Sequence, residues 1–394
     1  MSIKVKDIYY KIQKSIGNDI KLMAGDNGLS NIVEWFHTVE RSNVASFLEG
    51  NEVVVTTGIA LQEQNETLKD IISASLTNKA SAIIVNTGPY IKDIPLDVIQ
   101  FCNDNALPLL VCPWHIYMAN ILKIIVGVIT HDNEKQYELI SAFKNALCFP
   151  TQQDLYISSL ERYDYEPEWK YCVAIIKVCN KNESTNINKE GLRKIQKQVD
   201  HVLAFNAPES ITLKHRSELV ICFANRNESS IFQTMSLVIS NLETKYHKLY
   251  DIYSGIGRNT KSIRCLYKTY NIADKVISLQ QKVKNTYQVV SYSKMGFSKL
   301  FLSMDDKEIM LEYYDEVLKP LVEYDIINKS DYVGFLEVYF NNECKAQETA
   351  NQLYLHRNSV NYRLKKIEDI LGFDINEFNN KVSIVIALKI RMLI

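Results

Sequence analysis

From Ile32 to about Ile129, short apolar runs alternate with segments whose apolar residues recur at helical spacing, the order that builds a parallel sheet with crossover helices. The pattern predicts strands at 32–36, 53–56, 82–85 and 107–111, each apolar on successive positions, as in strands covered on both faces. Between the second and third, Leu68, Ile71, Ile72, Leu76 and Ala80 share one helical face, with Asn65 placed to cap the start. Further helices are predicted at 95–105 and from Tyr117 onward, and the charged run His131, Asp132, Asn133, Glu134, Lys135 reads as a link to a second segment. There the rhythm changes: a strand at 171–178, a helix at 187–205, a hairpin of 211–215 and 219–224, a helix at 231–245, a strand at 252–257 and a helix at 262–279, an α+β pattern. After about Ser298 the chain reads as nearly all helical, with amphipathic stretches at 306–318, 330–340, 345–353, 358–371 and 382–393. Gly372 stands where a helix would end, and the last stretch is apolar almost all round, which predicts burial.

The expected architecture is therefore multidomain: an N-terminal parallel α/β domain (1–130), a central α+β domain (131–290) and an all-α C-terminal domain (291–394). A length of 394 residues suits two or three domains. Forty-five basic and 46 acidic residues leave a net charge of −1, so no global field draws the chain to a polyanion and any nucleic-acid contact must be local. The longest apolar stretch, 117–130, is 14 residues long with Lys123 in its middle, too short for the ~20 residues a membrane crossing needs. The eight cysteines form no C-x-x-C pair and sit mostly in apolar runs, and the N-terminus lacks the apolar core of a signal peptide; both suggest a reduced, cytoplasmic setting without membrane partners.

Two places carry candidate chemistry. In an open parallel sheet, small ligands bind beyond the carboxyl ends of the strands. Here those ends supply Glu40, Arg41, Thr56, Thr57, Gly58, Asn86, Thr87 and Trp114 as a candidate ligand-binding set, although Thr-Gly and Asn-Thr-Gly are also ordinary turn chemistry. The second place is 346–367, which reads as a helix-turn-helix. Ala350 is the small residue at the crossing, Leu353 and Leu355 flank the turn, and Val360, Leu364 and Ile367 pack the second helix inward. That packing leaves His356, Arg357, Asn358, Ser359, Asn361, Tyr362, Arg363, Lys365 and Lys366 as candidate DNA-binding residues, with no acid between His356 and Ile367. Asn and Arg suit base edges; Lys, Arg, Ser and Tyr suit phosphates. Tyr354 occupies a turn position where glycine is common.

Other constellations are sparse. The seven histidines include no zinc-spaced pair, and there is no H-E-x-x-H, no Walker sequence and no G-x-S-x-G elbow, so no metal, cofactor or catalytic set is expected. An enzymatic reading of the α/β domain has only Glu40, Glu52 and His115 at the strand ends. Gly255-Ile256-Gly257 lacks the third glycine of a dinucleotide loop and is explained by turn geometry. Trp114 and His115 could face a planar ligand, or Trp114 could simply pack.

The run from His356 to Leu364, followed by Lys366-Ile367-Glu368 and Leu371-Gly372, closely resembles the C-terminal DNA-binding motif of the purine catabolism regulator (PucR) family of bacterial transcription factors. Leu48 to Gly58 resembles the glycine-rich signature of that family's N-terminal sensory domain, with Asn51 in place of the second glycine, and Ser254 to Arg258 resembles the strand-turn of its GGDEF-like central domain. The central hairpin reads His215-Arg216-Ser217-Glu218-Leu219 and lacks the paired acids that would hold a divalent ion against nucleotide phosphates, so it resembles a degenerate, non-cyclase form. The resemblance implies a ligand-responsive regulator binding a double-stranded operator as a homodimer or higher homo-oligomer, with a purine-catabolic or amino-acid metabolite as effector. The alternative is a scaffold whose C-terminal helices bind a protein.

Overall fold

The computed structural model describes residues 3–62, 66–181, 185, 187–303 and 307–391. Asn65, Asp306 and Leu393, each used in the expectations above, lie outside them. The chain divides into two compact units, one of Met1–Asn145, Gln152–Glu166 and His201–Ile211, the other of Ala146–Thr151, Pro167–Asp200 and Thr212–Ile394.

The first unit runs α1 (Val5–Ile16), β1 (Lys21–Ala24), β2 (Trp35–Thr38), β3 (Glu52–Thr56), α2 (Leu68–Thr77), β4 (Ala82–Thr87), α3 (Leu96–Asp104), β5 (Leu109–Pro113), α4 (Met118–Cys148) and α5 (Ile157–Arg162). Its sheet has the order β1-β5-β4-β3-β2, parallel throughout except for β1, which pairs antiparallel with β5. Residues alternate between faces. Val53, Val55, Ile84 and Leu110 meet Ile8 and Ile12 of α1 and Ile121 and Ile125 of α4, while Val54, Ile83, Val85 and Leu109 meet Ile71 and Ile72 of α2 and Val98 of α3. Both faces are covered, as the unbroken apolar runs require. The strand expected at 32–36 is displaced to Trp35–Thr38, with Ile32 forming only an isolated bridge to Lys4.

Helix α2 is capped by Thr67, whose hydroxyl accepts from the Asp70 amide while the Asp70 carboxylate takes the Thr67 amide at 2.8 Å. Asn51 does adopt the left-handed conformation its glycine-like position demands, with φ 61°. The linker expected at His131 to Lys135 is instead the middle of α4. Ile121, Ile125, Ile129, Leu139 and Phe143 keep one buried stripe through it; half-buried Asp132 continues that stripe, while His131, Asn133 and Glu134 are exposed.

A second sheet, of order β10-β9-β6-β8-β7, is built in the run β6 (Tyr171–Asn180), α6 (Lys189–Asn206), β7 (Ile211–His215), β8 (Glu218–Ala224), α7 (Glu228–Tyr246), β9 (Tyr250–Ile256), α8 (Leu266–Lys282) and β10 (Val289–Ser291). The central strand β6 runs antiparallel to β8 and β9, and β10 is parallel to β9, an α+β arrangement. Arg216 turns the β7–β8 hairpin with φ 53°. Gly255 and Gly257 are not turn glycines. A Cβ on Gly255 would lie 2.7 Å from the Ala273 carbonyl oxygen and one on Gly257 2.2 Å from that of Thr269, so their role is to let β9 approach α8.

The helical remainder comprises α9 (Ser298–Ser303), α10 (Lys307–Asn328), α11 (Tyr332–Asn341), α12 (Ala346–Gln352), α13 (Arg357–Leu371) and α14 (Phe378–Arg391). Leu318, Leu321, Phe335, Leu336, Val360, Ile367, Ile384 and Leu388 form its core. The last helix is less uniformly buried than its composition suggests, since Phe378 and Val382 are exposed. Cys102, Cys112, Cys172, Cys179 and Cys222 are buried, Cys148 is exposed and all eight thiols are free. Among the described residues no helix is long and apolar enough to cross a membrane.

Candidate functional site

Helix α12 is seven residues long and ends at a four-residue turn that leads directly into α13. Ala350 and Thr349 are buried on α12, Val360 and Ile367 on α13, and Leu353, Leu355 and Leu364 pack half-buried against the same core. Small Ala350 lets the helices approach, and the two leucines pin the turn from below. The turn backbone is held by Leu353 donating to the Thr349 carbonyl at 3.0 Å and Leu355 to that of Ala350 at 2.8 Å. The expected helix-turn-helix packing is therefore present.

On the opposite side of α13, Arg357, Asn358, Ser359, Asn361, Tyr362 and Lys365 are exposed. The other three expected contact residues are partly committed within the domain. His356 is the N-cap, its Nδ1 accepting from the Asn358 amide at 3.2 Å. The Arg363 guanidinium lies over the Phe335 ring, 5.6 Å from its centroid, and the Lys366 ammonium lies over Tyr324 at 5.6 Å. At its far end α13 closes on Gly372 in the left-handed region, φ 78°, as its position suggested.

Tyr354, which stands at a glycine-like turn position in the sequence, was not among the expected contact residues. Its φ is 55°, a conformation costing an L-residue on the order of 1 kcal/mol or more, and the residue is 97% exposed, so almost no packing offsets that cost. The visible signal was a bulky aromatic in a glycine-like turn position.

The strand ends of the first unit bring the expected ligand residues together in two neighbouring groups. Glu40 accepts from the amide and hydroxyl of Thr57 at 2.9 and 2.8 Å, from the Gly58 amide at 2.9 Å and from the Thr56 hydroxyl at 3.2 Å. Arg41 follows and opens the 3-10 turn Ser42–Phe47. In the second group the buried Asn86 amide donates to the carbonyls of Cys112 and Pro113, Thr87 donates to Cys112, and half-exposed Trp114 lies over Gly88 with Tyr90 edge-on to it. Ile91 links the two groups, since its side chain covers Gly58 and its carbonyl accepts from the Gly88 amide at 2.7 Å. The amides of Thr57, Gly58 and Gly88, which an anionic ligand would seek, are thus engaged by the protein itself.

Of the three groups considered for catalysis, Glu52 belongs at the other end of β3. It opens that strand, and its carboxylate takes the Glu49 amide at 2.9 Å, so it cannot act with Glu40. Exposed His115 faces Asp19 at 3.4 Å. In the second unit the one acid of the β7–β8 hairpin, Glu218, is buried, faces Lys177 at 3.8 Å and is pushed upward in pKa, chiefly by its burial.

Comparison with known proteins agrees with both ends of the chain. Residues 12–129 match the family described as "Purine catabolism regulatory protein-like family", and residues 332–390 match the PucR C-terminal helix-turn-helix domain. The chain is similar to the proline-responsive transcriptional activator PutR of Bacillus subtilis, at 28% identity over 52% of this chain and 51% of that protein. It spans about half the length of that relative. The purine catabolism regulatory protein of the same organism is 20% identical over 95% of this chain and 97% of its own. Among solved structures, the coiled coil and GGDEF domain of DgcB from Caulobacter crescentus is 12% identical, covers 44% of this chain and 96% of that chain, and has a TM-score of 0.28. The chain thus matches the purine catabolism regulatory protein-like family over 12–129 and the PucR C-terminal helix-turn-helix domain over 332–390, and is similar at both ends to PucR-type regulators.

Proposed function

We propose that this protein is a ligand-responsive transcriptional regulator that inserts α13 into the major groove of an operator and works as a homodimer or higher homo-oligomer. The observation that carries the reading is the exposed, acid-free stripe of Arg357, Asn358, Asn361, Tyr362 and Lys365 on the second helix of a well-packed helix-turn-helix. Arg357, Asn358 and Asn361 have the donors and acceptors that read base edges, and Lys365 and Ser359 suit phosphates. Arg363 and Lys366 act as braces that also add positive charge near the DNA. A single helix-turn-helix contacts one half-site, and a pair spaced about one helical turn (~34 Å) gives the affinity and selectivity a regulator needs.

The ligand enters at the strand ends of the first unit. Binding there must displace the Glu40 or Ile91 contacts, so the ligand-bound and ligand-free loops differ, and that differential affinity is what shifts DNA occupancy. The names of the relatives make proline and purine-breakdown intermediates the first effectors to try. The test is binding of the purified protein to its own upstream region against a scrambled duplex, across a salt series, with and without those metabolites. Specific, salt-dependent binding that one metabolite shifts supports the reading; equal affinity for both duplexes under every condition rejects it.

A further inference from the structure

Tyr354 combines two unfavourable features: a positive φ in a bulky L-residue and a side chain that is 97% exposed. Glycine would supply the same turn without strain. The position of the ring is nonetheless well determined. Leu353 and Leu355 on either side are drawn into the core, and the Tyr354 amide donates to the Asn351 carbonyl at 3.4 Å, so the side chain between the two leucines projects outward. Three residues later comes exposed Arg357, and the run up to Ile367 has no acid. An exposed phenol three residues before exposed Arg357, on a turn of positive φ, is placed to donate to an acceptor outside the protein.

We infer that Tyr354 contacts the sugar–phosphate backbone of the bound duplex, its ring lying against a deoxyribose and its hydroxyl donating to a phosphate oxygen; this rests on the DNA-binding reading above. The backbone, not a base, is its partner because the residue precedes α13. In a helix-turn-helix the first turns of the recognition helix reach the base edges, and the residues before it face the strand that borders the groove. The contact fixes how deeply and in which register α13 enters, and carries no sequence information of its own.

The experiment uses the full chain and two variants, Tyr354→Phe and Tyr354→Gly, titrated against the upstream duplex and a scrambled duplex at one salt concentration, with thermal midpoints measured in parallel. Tyr354→Phe should weaken binding about tenfold, the effect of losing one hydrogen bond to a charged group, and by the same factor on both duplexes. Tyr354→Gly should weaken it at least as much while its thermal midpoint stays level or rises, which separates lost contact from lost fold. Wild-type binding that both variants retain to within about twofold overturns the contact alone, and a loss confined to the upstream duplex replaces it with a base contact. A wild-type chain that binds neither duplex overturns the DNA reading and this inference with it.

Discussion

The backbone amide and the hydroxyl of Thr57 both donate to one carboxylate oxygen of Glu40, at 2.9 and 2.8 Å. The other oxygen of Glu40 takes the Gly58 amide and the Thr56 hydroxyl. One side chain therefore anchors the turn that follows β3. Glu40→Ala should cost roughly 2–3 kcal/mol in chemical denaturation, because it leaves several donors without their charged acceptor. Hydrogen exchange at the Thr57 and Gly58 amides should accelerate; unchanged protection there would show that the turn stands without Glu40.

Gly257 predicts a far larger loss. A Cβ there would sit 2.2 Å from the Thr269 carbonyl oxygen and 2.3 Å from its hydroxyl, and that hydroxyl already accepts from the Val173 amide at 3.2 Å. Neither group can retreat without breaking β6 or α8, so Gly257→Ala should cost more than about 3 kcal/mol. Thermal unfolding of the variant against wild type measures this directly.

Asp200 gives a pH dependence of definite sign. Burial, partly offset by hydrogen bonds from Thr212 and Gln196 and by Lys214, pushes its pKa up to about 6 from 3.8. The unfolded chain releases this proton more readily, so the group lowers stability as pH rises from about 4 to 6, with no further change above. Asp200→Asn should abolish that segment of the pH profile and raise stability near pH 7 by on the order of 2 kcal/mol. Parallel denaturation curves for the two proteins from pH 4 to 7 check it; profiles that fall equally would place the titration elsewhere.

On α13, side chains that face outward should separate by role. Arg357→Ala should cost roughly 1–3 kcal/mol on the upstream duplex and narrow the gap to scrambled duplex, whereas Lys365→Ala should weaken both and reduce the salt slope by about one. Arg363→Ala should differ from each by lowering thermal stability as well, because its guanidinium covers Phe335. Binding isotherms and melts on the same preparations separate the three.

Several parts of this fold were legible because burial leaves an unambiguous mark. β3 and β4 are apolar on both faces, and the inward residues Ala350, Val360 and Ile367 follow directly from helical spacing. β1 escaped because it is four residues long with only Ala24 buried, and α1 because Val5, Ile8 and Ile12 are interleaved with charges that look like simple alternation. The supposed linker shows the reverse error: a charge run marks solvent, and solvent also bathes one side of a helix. At the candidate ligand site, sequence placed Glu40, Thr56, Thr57 and Gly58 near one another, but not that they bond one another. Hydrogen-bond partners depend on loop paths that no spacing rule supplies.

The distribution of thiols gives the molecule a built-in clock for its own opening. Cys102 and Cys112 lie in the sheet unit at the N-terminal end, Cys172 and Cys222 in the β6–β8 pair of the other, and all four are buried. Burial also holds Cys102 and Cys112 up to about 11 and Cys172 up to about 12, so a thiol-directed reagent reaches them as reactive thiolates only when the surrounding unit opens. Cys148, by contrast, is exposed without any opening. Without any engineered label, the unmodified chain thus reports separately how long each half stays closed.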